Sequence, residues 1–170
     1  MKKIIFFLPV FLMLAACSSK NTEDSSEKKD AQTKQQEDPK LIEQIDAMYL
    51  LPFAEENEDG TVTFYMESRR NWKPANEYIP DSEHFRVQIF TKKGNLVWSS
   101  SEGKNFMQVI GYVKPEIAGE MHVYKQVWDG KDNSDIPVPK GEYKVVMTIP
   151  AKPIEYSTTM DYYWKGSNDE

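Results

Sequence analysis

Hydrophobic and polar positions divide the chain into three stretches. Ile4 to Ala16 is an apolar run of thirteen residues, carrying Pro9 and preceded by Lys2 and Lys3. A helix needs about 20 such residues to span a hydrocarbon core, so the run fits a signal peptide over 1–16 better than a membrane span. Ser18 to Lys40 is the opposite case, with Ala31 as its one apolar residue. It has too little apolar surface to offset the entropy of ordering and is expected to be a disordered tether, 17–40. From Leu41 onward apolar positions become periodic, and the folded domain is expected over 41–170.

Within that domain the period is mostly two. Leu41, Ile42, Ile45, Met48 and Tyr49 do recur at helical spacing behind Asp38-Pro39, a pair suited to opening a helix. Ala47 to Phe53 also reads as a strand ended by Pro52, so the pattern predicts a short helical turn running into a strand. Thr61 to Ser68 follows an Asn-Glu-Asp-Gly turn and is rich in β-formers. Phe85, Val87 and Ile89 alternate with Arg86 and Gln88, and Lys92 to Asn95 is the turn leading to Leu96-Val97-Trp98. Phe106 to Val113 and Met121 to Trp128 read as two further strands, joined through Pro115 and Gly119. Asp129 to Gly141 is a long turn before the alternation of Tyr143, Val145, Met147 and Ile149. Last, Ile154, Tyr156, Met160, Tyr162 and Trp164 share one face of a strand, with Glu155, Ser157, Thr159 and Asp161 on the other. Seven or eight short strands without a βα alternation predict an all-β, antiparallel β-sandwich.

Composition narrows the function classes. One cysteine among 170 residues can form no internal disulfide and no Cys-rich metal centre. A net charge of −6 gives no basic stripe for nucleic acid, so no nucleic-acid partner is expected. The two histidines, His84 and His122, sit in strand-like alternations, and no Gly-x-Ser-x-Gly turn offers a nucleophile. No catalytic residue, metal or cofactor is assigned, and the chain is not expected to be an enzyme.

The cysteine has a position of its own. The apolar run ends Leu14-Ala15-Ala16-Cys17, which resembles the bacterial lipobox. That resemblance implies cleavage before Cys17, a diacylglycerol on its thiol, and an anchor in the membrane at the extracytoplasmic face. With Lys2 and Lys3 removed the mature chain carries −8, so the lipid rather than charge would hold it to an anionic surface.

A second resemblance lies in the β-region. Phe85 to Ile89, the Gly94 turn, Val97-Trp98 with its following serines, Phe106-Met107-Gln108, Trp128-Asp129-Gly130 and Pro139-Lys140-Gly141-Glu142-Tyr143 follow one another in order. The series, from about Gly60 to Ile149, resembles the BsuPI family, the intracellular proteinase inhibitors of bacilli. Its later part, Trp128-Asp129-Gly130 and Pro139-x-Gly141-x-Tyr143, is also similar to the immunoglobulin-like domain of the flagellar hook-capping protein. A motif shared by both points to the fold: Trp128 as a core anchor, Asp129-Gly130 as a turn, and Gly141 opening the strand of Tyr143, with Trp98 and Phe106 counted among the fold residues of the BsuPI-like series. The sandwich is therefore expected to be immunoglobulin-like. The inhibitor that names the family acts inside the cell, whereas this chain carries an export signal, so any target protease would be an exported or envelope one.

Two surface clusters remain. Asp129, Asp132, Asn133 and Asp135 have the oxygen chemistry for calcium, but their spacing departs from the EF-hand and suits turns better. Arg69, Arg70, Trp72 and Tyr78 place basic and aromatic residues on one loop, a composition favoured at protein contacts. They form the candidate binding loop. Ser99-Ser100-Ser101 is expected to be a solvent turn. The sequence thus predicts a lipid-anchored cell-surface binding module, for which the family resemblance implies inhibition of an exported or envelope protease. The alternative is a structural or adaptor lipoprotein of an envelope, cell-wall or spore assembly. The expected partners are the membrane through Cys17 and one protein, either a protease or an envelope component. The lysine-rich tether and the family resemblance favour a Gram-positive cell.

Overall fold

The computed structural model describes residues 45–166. The signal-like run, Cys17 and the tether lie outside the described residues. Seven strands follow one another: β1 (Met48–Glu56), β2 (Val62–Arg70), β3 (Arg86–Thr91), β4 (Leu96–Ser99), β5 (Met121–Trp128), β6 (Gly141–Ile149) and β7 (Tyr156–Trp164). They form two antiparallel sheets, one ordered β1-β2-β5 and the other β4-β3-β6-β7. The all-β sandwich read from the period-two pattern is therefore the fold.

The core lies between the inward faces of the two sheets. β2 contributes Val62, Phe64 and Met66; β3 contributes Val87 and Ile89; β6 contributes Tyr143, Val145, Met147 and Ile149. In β7 the alternation is followed closely, with Tyr156 and Trp164 buried and Ser157, Thr159 and Asp161 exposed. Each large apolar side chain removed from water contributes about 1.5–3 kcal/mol, so these repeating pairs dominate the favourable side of folding.

The structure departs from the sequence pattern in three places. No helix occurs among the described residues; Met48 and Tyr49 already belong to β1. β1 also runs through Pro52 to Glu56 instead of ending there, with Pro52 opposite Met66. The strand lies at a sheet edge, where a missing N–H leaves no ladder bond broken. Phe106 to Val113 is not a strand. Its one bridge is Gly111 with Ile79, and its apolar side chains mostly face water. Finally, Ser99 and Ser100 are buried rather than a solvent turn, because the Ser100 hydroxyl accepts from the Val87 N–H at 3.0 Å.

Candidate functional site

The two halves of the shared motif meet in the core. Trp128 packs on Trp164 with ring centroids 5.0 Å apart, and Trp98 and Phe64 lie on it at 6.4 and 6.2 Å. The Trp128 indole donates to the Lys131 carbonyl, and the Trp164 indole donates to that of Val138. Tyr143 donates its hydroxyl to the Pro139 carbonyl at 2.6 Å. Gly130 has φ +82°, and a Cβ on it would lie 2.5 Å from Trp164 Cζ2. Gly141 begins β6, and Phe106 is half-buried. Trp98, Trp128, Gly130, Gly141 and Tyr143 therefore serve the fold, whereas half-buried Phe106 is not part of the core cluster. Asp129 serves the fold too, since its Oδ1 accepts from the Lys131 N–H. Asp132 similarly accepts from Ser134 and Ile136, and Asn133 bonds both backbone groups of Ser99.

The basic-aromatic candidates separate. Arg69 is exposed on the outer face of β2. Arg70, on the next position, points inward and is fully buried. Its guanidinium forms a bidentate pair with Glu77 at 2.8 Å, donates to Tyr156 Oη at 3.2 Å and to the Pro115 carbonyl at 2.8 Å. Tyr156 in turn donates to Glu77. Burial, then the Glu77 carboxylate beside it, pushes the Tyr156 hydroxyl up to about 12. This charge is consumed inside the molecule and is not presented to a partner. Trp72 is 44% exposed, yet its indole donates to the Ile45 carbonyl at 2.8 Å. With Tyr49, Arg69 and Gly119 it lines a shallow open depression. Tyr78 lies apart, with its backbone paired to Lys152. The depression thus joins Arg69 and Trp72; Arg70 borders it too, but with its guanidinium buried against Glu77, and Tyr78 lies outside it.

A different segment offers the more distinctive surface. The connection from β4 to β5 exposes Met107 by 70%, Val109 by 57%, Ile110 by 75% and Tyr112 by 69%. Scattered exposed apolar residues are ordinary, but four on one short segment single it out as a candidate contact surface. The segment is fastened at both ends. Met107 exchanges two bonds with Ser82, its N–H donating to Ser82 Oγ and its carbonyl accepting from Ser82 N, both 2.9 Å. Gly111 exchanges two backbone bonds with Ile79, also at 2.9 Å. Farther on, Val113 is buried, and the Tyr124 hydroxyl accepts from Lys114 N–H and donates to the Lys114 carbonyl. Arg70 then fixes Pro115, Gly119 and Glu120. Before the segment, Glu83 receives Arg86 and the Ser101 hydroxyl. Burial raises the Glu83 carboxyl, but those hydrogen bonds outweigh it and hold it below its ordinary range.

Between the fasteners run Gln108, Val109 and Ile110. The Val109 N–H turns back to the Met107 carbonyl at 2.9 Å. Among the described residues no main-chain partner meets the N–H or carbonyl of Gln108 or of Ile110. Sequence reasoning missed this site because its apolar residues imitate a core strand. The signal that could have found it is the run itself: Met107, Val109, Ile110 and Tyr112 cannot all face one side of a strand.

The geometry can be set beside known proteins. The sequence profile of one family, BsuPI, described as intracellular proteinase inhibitor, matches residues 53–154, more than half of the chain. The match takes in the whole β4–β5 connection and ends before β7. No curated protein matches the chain.

Proposed function

Because the chain belongs to the BsuPI family of intracellular proteinase inhibitors, we propose that it is a proteinase inhibitor carried outside the cell on a lipid. The observation that carries this reading is the β4–β5 connection. It offers four exposed apolar side chains on a backbone fixed at Met107 and Gly111. Inhibitors gain affinity by holding the bound conformation before binding, since less ordering entropy is then lost on association. A segment clamped at both ends by Ser82 and buried Ile79 of the β2–β3 connection has that property. The lipobox-like Leu14-Ala15-Ala16-Cys17 directs the target to an exported or envelope protease, at the outer face of what is best read as a Gram-positive plasma membrane.

The test is a titration. The full chain, held in detergent, is added to a panel of exported endopeptidases and residual activity is followed. Tight inhibition reaching completion near one equivalent is expected for at least one of them. Undiminished activity across secreted and membrane-bound proteases at tenfold excess would remove the reading.

One observation favours a second reading, an adaptor in an envelope assembly. The outer face of the β1-β2-β5 sheet exposes Tyr49, Leu51, Met121, Val123 and Val127. In register these lie side by side across β2, with Leu51 and Val123 flanking Glu67. An adaptor using this face would lose its crosslinked envelope partner on Leu51→Lys or Val123→Lys, whereas an inhibitor using the β4–β5 connection would keep its activity in both variants.

A further inference from the structure

We propose that the β4–β5 connection enters a protease active site as a substrate does, with Ile110-Gly111 as the peptide bond at the nucleophile and Ile110 as the residue that selects the enzyme. The proposal rests on the inhibitor reading above and specifies the class of its target. A substrate lies in a protease cleft as an added strand, bonding with alternate residues and turning the intervening N–H away. Gln108 and Ile110 have free N–H and carbonyl groups, while the Val109 N–H closes a γ-turn at Gln108 on the Met107 carbonyl. Past that bend, the free N–H and carbonyl of Ile110 are available to the enzyme backbone. The Ile110 carbonyl can thus enter an oxyanion hole. Ile110 is also the most exposed of the segment's apolar side chains.

The residue that follows explains why such a segment would inhibit rather than be consumed. Gly111 is bonded through both its N–H and its carbonyl to Ile79. Attack of the enzyme's nucleophile on the Ile110 carbonyl carbon forms an acyl bond and breaks the bond to the Gly111 nitrogen. That nitrogen takes its proton from the enzyme's general acid. A free product would then diffuse off, but Gly111 remains tied to the sandwich, and its amine stays beside the acyl group. Return of the proton and reformation of the peptide bond restore the intact inhibitor.

Side-chain chemistry sets the class. Between Met107 and Tyr112 there is no charged residue. The matching primary pocket is apolar and wide enough for a β-branched side chain, as in enzymes that cleave after aliphatic residues. Enzymes that demand lysine or arginine are excluded, because a buried acidic pocket would stay unpaired against Ile110.

The experiment is a specificity switch in the full chain. Wild type, Ile110→Arg and Tyr163→Arg are titrated against an elastase, a subtilisin and a trypsin, with thermal melts confirming that each variant folds. Tyr163 is exposed on β7 and serves as a control for added charge. Wild type is expected to inhibit an enzyme with an apolar pocket and to spare trypsin. Ile110→Arg should lose at least a hundredfold on the former and become a trypsin inhibitor, while Tyr163→Arg behaves as wild type. Partial cleavage at long times should give a new N-terminus at Gly111. A wild-type inhibitor whose Ile110→Arg variant is unchanged overturns the assignment of the site but leaves the inhibitor reading standing. A wild type that inhibits none of the three enzymes, nor any exported endopeptidase, overturns both.

Discussion

At the scale of single residues, two groups concentrate the constraints of the fold. Gly130 is required twice over. Its φ of +82° suits glycine, and a Cβ would meet the Trp164 ring at 2.5 Å. The ring cannot retreat easily, since its indole is bonded to Val138 and it packs at a tilt against Trp128. Gly130→Ala is therefore expected to cost about 2–4 kcal/mol, combining backbone strain with overpacking. For a domain of this size that corresponds to a melting temperature lower by roughly 10 °C, and a melt within about 2 °C of wild type would contradict the argument. Arg70 and Glu77 are the second group. Both side chains are fully buried, and each has several partners. Removing one leaves the other as an unpaired buried charge, so Arg70→Ala is expected to destabilise by about 3–5 kcal/mol. Replacing both by apolar residues, Arg70→Met with Glu77→Leu, should recover part of that loss. Chemical denaturation of the two variants checks the order, and a double variant no better than the single one would show that the hydrogen bonds, not the charges, matter most.

At the scale of elements, the sandwich holds its long connections by polar ties, and one of them responds to pH. Glu83 joins the loop before β3 to the turn after β4 through Arg86 and Ser101. Its carboxyl is held below the ordinary range in the fold. A carboxyl depressed in this way stabilises the fold above its unfolded pKa, and the contribution is lost as pH falls through the folded value. Stability should therefore decline below about pH 4.5, and Glu83→Gln should flatten the decline while lowering stability at neutral pH. Melting curves from pH 7 to 3 make the comparison; parallel declines would assign the acid sensitivity elsewhere. The same elements show what the sequence could convey. β7 was legible almost residue by residue, because one of its faces is core and the other water. β1 was less so, since Pro52 ordinarily ends a strand and only its place at a sheet edge permits it. Phe106 to Val113 was misread for the opposite reason. Apolar residues there stand in water, and β-propensity alone does not show it; only the break in alternation at Val109-Ile110 sets the segment apart from a core strand. Arg70 was misjudged on similar grounds, as alternation turns it inward beside exposed Arg69, but only tertiary structure supplies Glu77 and Tyr156 to receive it.

At the scale of the whole molecule, the proposed lipid anchor, set against the net charge of the chain, would decide where the proposed inhibitor works. The processed chain would carry −8, with no cysteine beyond the one at its start. Such a body is repelled by an anionic leaflet, and the repulsion fades within a Debye length of about 8 Å at physiological ionic strength. A diacylglycerol on Cys17 acts differently, because each buried CH₂ contributes about 0.8 kcal/mol and salt hardly alters that term. Two results should follow. Membrane fractions should retain the protein through washes at 1 M salt, whereas a protein held by charge would come away. Cys17→Ala should then appear either in the medium or as a precursor with Met1 to Ala16 still attached. Fractionation with mass spectrometry of the N-terminus distinguishes these from a mature variant still bound to membrane, which would mean that another part of the chain is the anchor. The proposed inhibitory segment would be unaffected in either case, since its fasteners at Ser82 and Ile79 lie in the β2–β3 connection, far along the chain from Cys17. Released and anchored forms should therefore inhibit equally in solution and differ only in how efficiently they meet a protease that is itself bound to the membrane.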